Sequence, residues 1–226
     1  MDNTQTNRIA ILDASPKVGG SSASALFANK AEERMLAKGI TVFRANVRAS
    51  LSKGSTKEDF AELRQADAIL VIMPLYIFCL PGVLMRYLQD YENSLKEEPS
   101  VKSPKLYAVV NCGFPEANIN EEAARVIQSF SRAIGGRWGF AVLIGEGGMV
   151  VAAQQAPFML KMFDALGQNF DRMAEDIDTD TSRPNVSLPP PFPRRLYLMS
   201  GNMNWKQEVR KAGLKKNELY AKPYER

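Results

Sequence analysis

The chain has 226 residues, 45% hydrophobic and 24% charged, the composition of a soluble globular protein with enough material for one sizeable core. Its 29 Lys and Arg against 25 Asp and Glu leave a net +4, short of the dense positive stripe of a nucleic-acid binder and suited to an anionic small ligand. The absence of His excludes Ser-His-Asp and Cys-His nucleophiles and His-ligated zinc, and the two cysteines, Cys79 and Cys112, form no CxxC pair, metal-cluster set or disulfide framework, so no metal and a reducing cytoplasm are expected.

The N-terminal residues show no basic stretch before a long apolar one, so no secretory signal is expected. Arg8 to Ala14 is a short Ile- and Leu-rich run that stops at Ser15-Pro16, the pattern of a buried strand. A polar, glycine-bearing loop follows, and from Ser21 to Lys38 the alanines, Leu26, Phe27, Met35 and Leu36 share one helical face before Gly39. Residues 40 to 47 give a second strand, and a short helix around Lys57 to Gln65 leads to a third, Ala68 to Met73. The uncharged run Ala68 to Met85 approaches the length of a membrane span, but Pro74, Pro81 and Gly82 divide it into a strand, a loop and a helix start, and no membrane span is expected. A third helix opens at Pro81 as a first-turn proline and carries Val83, Leu84, Tyr87, Leu88, Tyr91 and Leu95 as one stripe.

Residues 106 to 112 form a fourth strand, and a helix with Val126, Ile127, Phe130 and Ile134 runs to Gly135-Gly136. Trp138 to Ile144 is a fifth strand, and Met159, Phe163, Leu166, Phe170, Met173 and Ile177 mark a strongly amphipathic helix. Five strand-helix units predict an α/β doubly wound parallel sheet, order 2-1-3-4-5, with helices on both faces. Asp176, Asp178 and Asp180 mimic the start of a calcium loop, but Thr181 and Ser187 stand where its glycine and glutamate belong, so calcium is rejected. The compact domain is expected to span residues 1–182. Residues 183–226 are expected to be a Pro-rich connector (Pro184, Pro189, Pro190, Pro191, Pro193) and a tail with a basic helix near Lys206 to Lys216, which either folds back or reaches a partner subunit.

In such a sheet ligands bind beyond the carboxyl ends of the strands. After strand one, Ser15, Lys17, Gly20, Ser21 and Ser22 offer hydroxyls, a cation, glycines and the first amides of a helix, the chemistry of a phosphate site; a capped turn with Ser21 or Ser22 as N-cap is the alternative. The segment matches neither the Walker A pattern nor GxGxxG. After strand three, Pro74, Leu75, Tyr76, Ile77 and Phe78 are too apolar for a solvated loop and suit a flat ring, or else burial by helices or a subunit interface. After strand four, Asn111, Cys112 and Gly113 face the same crevice. Cys79 and Cys112 are read as small buried apolar residues ahead of a redox pair. Gly145 to Gly148 either flanks the substrate opening or turns the chain.

Taken in order, Ser15-Pro16-Lys17 with Gly20-Ser21-Ser22, Pro74-Leu75-Tyr76 to Leu80-Pro81-Gly82, and Asn111-Cys112-Gly113-Phe114 resemble the flavodoxin-like NAD(P)H-dependent FMN reductases and quinone reductases over residues 8 to 150. The tail also resembles the C-terminal extension of some members. The resemblance implies FMN as cofactor, with Ser15, Lys17, Gly20, Ser21 and Ser22 on the phosphate and Pro74, Leu75, Tyr76, Ile77, Phe78, Asn111, Cys112 and Gly113 around the ring. It further implies NADPH or NADH as hydride donor, a small aromatic acceptor such as a quinone, a ping-pong scheme, no catalytic side chain and a homodimer. A flavodoxin-type electron carrier and a flavin-free binding protein remain as alternatives on the same fold.

Overall fold

The computed structural model describes residues 6–17, 22–189, 193–222 and 224, and the chain divides into two compact units, Met1–Pro190 and Pro191–Arg226. In the first unit six parallel strands lie in the order β2-β1-β3-β4-β5-β6: β1 (Arg8–Asp13), β2 (Thr41–Asn46), β3 (Ala68–Pro74), β4 (Lys105–Asn111), β5 (Arg137–Ile144) and β6 (Val186–Leu188). The register sets Ile9 opposite Ala68, Ile69 opposite Leu106 and Val109 opposite Val142, so the carboxyl ends of β1, β3, β4 and β5 finish at one edge.

Alternation along each strand divides the core between the two faces of the sheet. Ala10, Leu12, Ile69, Val71, Leu106, Ala108 and Leu143 pack on one face with α3 (Thr56–Arg64), α4 (Gly82–Glu97) and α5 (Glu121–Ala133). Ile9, Ile11, Leu70, Ile72, Val109, Val142 and Ile144 pack on the other with α1 (Ala23–Ala37) and α7 (Pro157–Asp176). Both faces being covered is why β3 is apolar at every position from Ala68 to Met73. The α7 stripe falls as its spacing predicts, with Met159, Leu166, Phe170, Met173 and Ile177 buried. Gly39 and Gly135 hold the left-handed conformation beyond α1 and α5, at φ 76° and 68°.

The sheet has one strand more than expected. Residues 183–189 are extended, as their prolines require, but extended backbone beside an open sheet edge also pairs. Val186–Leu188 lies parallel to Val142–Ile144, and the Asn185 side chain accepts from Ala141 N–H at 2.9 Å. Pro184 and Pro189 bracket the strand, since proline cannot donate to a ladder, which keeps it to three residues. Two smaller differences concern helix starts. Val47 closes no strand but opens α2 (Val47–Lys53), capped by Asn46, and Pro81 sits at the N-cap of α4 with Gly82 as its first residue. The three aspartates of the calcium look-alike are taken up elsewhere: Asp176 by Arg183, Asp178 by Asn7 and Asp180 by Arg137.

The second unit holds α8 (Arg194–Lys211) and a 3₁₀ helix (Lys216–Tyr220). The helix begins well before the expected Lys206, because Leu196, Leu198, Met199, Met203 and Trp205 are exposed around its circumference and form no single stripe for a period to reveal. No helix among the described residues is long and apolar enough to cross a membrane.

Candidate functional site

A cavity of about 590 Å³ opens at the carboxyl edge, where the chain passes from one side of β1 to the other. Ser15, Pro16 and Lys17 after β1 and Ser22, Ala23 and Ser24 at the start of α1 form one end. Pro74 at the end of β3, Tyr76 just beyond it, Asn111 at the end of β4, and Gly147, Gly148, Val151 and Ala152 of α6 (Gly147–Ala152) form the rest.

The first loop is set by side chains that satisfy its own backbone. Asp13 is buried at the end of β1 and its Oδ1 accepts from Ser15 N–H at 3.2 Å, while Ser15 Oγ accepts from Lys17 N–H at 3.4 Å. Arg44 of β2 lies 3.7 Å from Asp13 Oδ2 and also bonds Asn29 and Glu32 of α1, tying the loop to its neighbours. Ser22 is the N-cap of α1, its Oγ accepting from Ala25 N–H at 3.0 Å. A hydroxyl that accepts in this way keeps its proton to donate, so capping and anion binding are compatible in one residue. The amides of Ala23 and Ser24 open a 15-residue helix and have no intrahelical acceptor. Gly20 and Ser21, expected in this cradle, lie outside the described residues.

Asn111 knits the four segments together. Its Nδ2 donates to Met73 O at 3.0 Å and to Ser24 Oγ at 3.2 Å, and its backbone carbonyl accepts from Leu75 N–H at 2.7 Å. A Cβ on Gly147 would stand 2.5 Å from Asn111 Oδ1, so only glycine fits there. At Gly113 and Gly148 an added Cβ would meet nothing within 4 Å.

Not every expected ring residue lines the cavity. Leu75 packs on the core, and Tyr76 to Cys79 closes a tight turn in which Ile77 and Phe78 both take positive φ, 47° and 59°. That turn leaves Ile77 93% exposed and carries Phe78 out to stack on Phe114, ring centroids 6.0 Å apart. Cys112 is buried beneath the edge. Burial pushes its thiol pKa up, against lowering by its bonds to Phe114 O and Asn120 Nδ2, which is the setting of an inert thiol.

Sequence reasoning left out Ser24, Val151 and Ala152 and left Gly147 and Gly148 between flanking the substrate opening and turning the chain. The signal was the GEGG run directly after strand five, at the correct edge of the sheet. Between Gly145 and Gly147 sits Glu146, left-handed at φ 55° and 1% exposed, with neither carboxylate oxygen partnered among the described residues. Burial first, and then the charge of Glu116, push its pKa up to about 7.

No family model and no curated protein matches the sequence. Solved structures do match. An apo NADH:FMN oxidoreductase superposes with a TM-score of 0.58 at 17% identity, covering 77% of this chain and 91% of the other. The general stress protein 14 of Treponema denticola, solved in complex with FMN, gives 0.55 at 14% identity, covering 76% and 99%. An NADPH-quinone reductase from P. pentosaceus gives 0.53 at 15%, covering 75% and 98%. The chain has the flavodoxin-like fold.

In flavodoxin-like sheets FMN sits at the β1/β3 switch point, where this cavity opens. The residues fit that cofactor. The volume lies within the range of small-molecule sites, one end pairs helix amides with hydroxyls and Lys17, and the other offers Pro74, Tyr76 and a glycine wall where backbone can approach a flat ring.

Proposed function

We propose that this protein is an FMN-dependent NAD(P)H oxidoreductase that passes a hydride from a nicotinamide, by way of FMN, to a quinone, a flavin or another small aromatic acceptor. The observation that carries this reading is the union, in one cavity at the switch point, of an anion-ready helix start with a flat apolar and glycine-lined wall. Bound FMN supplies the two-electron chemistry, which is why a chain without His suffices. Ser15, Lys17 and Ser22, with Gly20 and Ser21 of the same loop, hold the phosphate. Pro74, Tyr76, Asn111 and Gly113, joined by Gly147 and Gly148, hold the ring. The chain's own work is to orient two flat molecules in turn on the open side of the cavity, in a ping-pong order, at near-attack distance.

The displaced aromatics have a different use. Ile77, Phe78 and Phe114 are exposed at the same edge, and Leu80, Met85, Val126 and Phe130, with Arg86, Gln89 and Glu92, line a groove between α4 and α5. A second copy of the chain covers them in a homodimer.

Fluorescence titration tests the first step: FMN emission is expected to quench on binding. Under anaerobic conditions NADH or NADPH then bleaches the yellow complex. Binding without bleaching by either nucleotide fits an electron carrier instead, and unquenched FMN overturns the reading.

A further inference from the structure

Glu146 is unlike any other group at the site. Its carboxyl is shut from solvent with both oxygens unpartnered among the described residues, although a buried carboxylate ordinarily costs several kcal/mol unless paired. It is also fixed in place. Its N–H donates to Phe114 O at 2.8 Å, and the next N–H, of Gly147, donates to Cys112 O at 2.7 Å. Neither flanking glycine can yield space: a Cβ on Gly145 would lie 2.7 Å from Pro115 O, and one on Gly147 would strike Asn111. A left-handed non-glycine residue clamped in this way is strained, and it stands next in the chain to Gly147 and Gly148, which line the cavity.

We infer that Glu146 is the site's proton-uptake group, taking a proton from solvent when negative charge arrives on a flavin in the cavity. This rests on the FMN reading above. Hydride transfer from a nicotinamide delivers two electrons and one proton to a neutral ring, so the cavity gains one negative charge and no proton leaves solvent. The compensating step is protonation of the Glu146 carboxylate to the acid, one bond formed and one solvent proton consumed. Adjacent Cα atoms are about 3.8 Å apart, which puts the carboxyl within about 10 Å of a ring lying on Gly147. At that distance and an effective dielectric near 20, a unit charge raises the proton affinity of a carboxyl about tenfold. Around Glu146, Glu116 on the loop after β4 carries the opposing charge, Cys112 is held as a thiol, Glu121 at the start of α5 accepts from Asn185 Nδ2, and α6 and β6 have no charged residue. Nothing cationic among these settles the carboxylate, so its proton is free to follow the charge of the cavity.

The test is proton uptake by the FMN-loaded protein, reduced anaerobically with stoichiometric NADH or NADPH in weak buffer and read with an indicator dye. Because the reduced ring can also bind a proton, the signal is the uptake of the parent beyond that of Glu146→Gln; since burial and Glu116 place the resting pKa at about 7, this difference is expected to peak just above pH 7 at about half a proton per flavin and to vanish near pH 5.5, where the acid is already protonated. Glu146→Gln, which mimics the protonated form, is expected to keep only the uptake of the ring. Glu116→Gln, which keeps Glu146 and removes its neighbour's charge, is expected to move the peak to lower pH. A Glu146→Gln profile superimposed on the parent's, or a Glu116→Gln peak that stays in place, overturns the inference while leaving FMN binding intact. Failure of the parent protein to quench FMN overturns the cofactor reading and the inference together.

Discussion

Glu146 makes the stability of the flavin-free protein depend on pH in an unusual direction. Its pKa stands near 4.5 in an open chain and about 7 in the fold, so the folded state binds the proton more tightly. The penalty is absent below about 4.5, grows as pH rises through that window, and is complete above about 7, where the fold carries a buried charge. Glu146→Gln is therefore expected to match the parent at pH 4.5 and to exceed it at pH 8 by at most about 3 kcal/mol in urea unfolding; parallel pH profiles for the two would refute this. The two glycines beside it separate packing from binding. Gly147→Ala drives a Cβ to 2.5 Å from Asn111 Oδ1 and is expected to cost about 1 to 3 kcal/mol of stability as well as FMN affinity. Gly148→Ala meets only open space, so it is expected to leave the melting temperature within about a degree while still weakening FMN several-fold; undiminished quenching in Gly148→Ala would remove this wall from the ring site. The sequence made the anion end of the cavity legible because hydroxyls, a lysine and a helix start carry their chemistry in their identity. It left the glycine run between two readings and did not reveal the setting of Glu146, since a glycine's role lies in what stands opposite it and a carboxylate's in whether anything does.

Elements that the core buries on one face or both were readable, and those it leaves exposed or very short were not. The α7 stripe and the apolar β3 fall where their periods predict, because burial imposes the period, whereas exposed α8 and three-residue β6 carry no such imprint. The β4–β5 pair holds a further constraint hidden from periodicity. Its register shifts between Leu106 and Ala108, and the Tyr107 ring fills the space over Gly139, packs edge-on against Phe140 at 5.5 Å and donates its hydroxyl to Met173 O at 3.1 Å. A Cβ at Gly139 would fall 2.2 Å from that ring. Gly139→Ala is thus expected to destabilise the fold by about 3 kcal/mol, and Gly139→Ala with Tyr107→Val to be less costly than the two single changes summed. Simple additivity in that double-mutant cycle, measured by denaturant unfolding, would show that ring and strand do not compete for the same space.

At the scale of the whole molecule, the surface poses a question that the sheet alone does not answer. A monomer pays a hydration cost for each large side chain left in water, and Ile77, Phe78, Phe114, Met85 and Val126 place that cost on the loops after β3 and β4 and in the groove between α4 and α5. The turn that presents Ile77 and Phe78 is itself unfavourable, with two side-chain-bearing residues at positive φ costing roughly 1 to 2 kcal/mol each. A second copy covering this face would recover that energy and would wall off the open side of the cavity, narrowing the acceptors to flat molecules that slide in edge first. The protein is therefore expected to run as a dimer in light scattering after size exclusion. Met85→Asp, at a half-exposed position with no core role, is expected to shift it to monomer without lowering its melting temperature at high dilution. Because the anion end of the cavity lies wholly within one chain, that monomer should still bind FMN, several-fold more weakly, and should lose more in turnover with a quinone than in affinity for the cofactor. A Met85→Asp protein that remains dimeric would place the interface on another face, and a parent protein that scatters as a monomer at micromolar concentration would leave the exposed turn to close over the acceptor from within one chain.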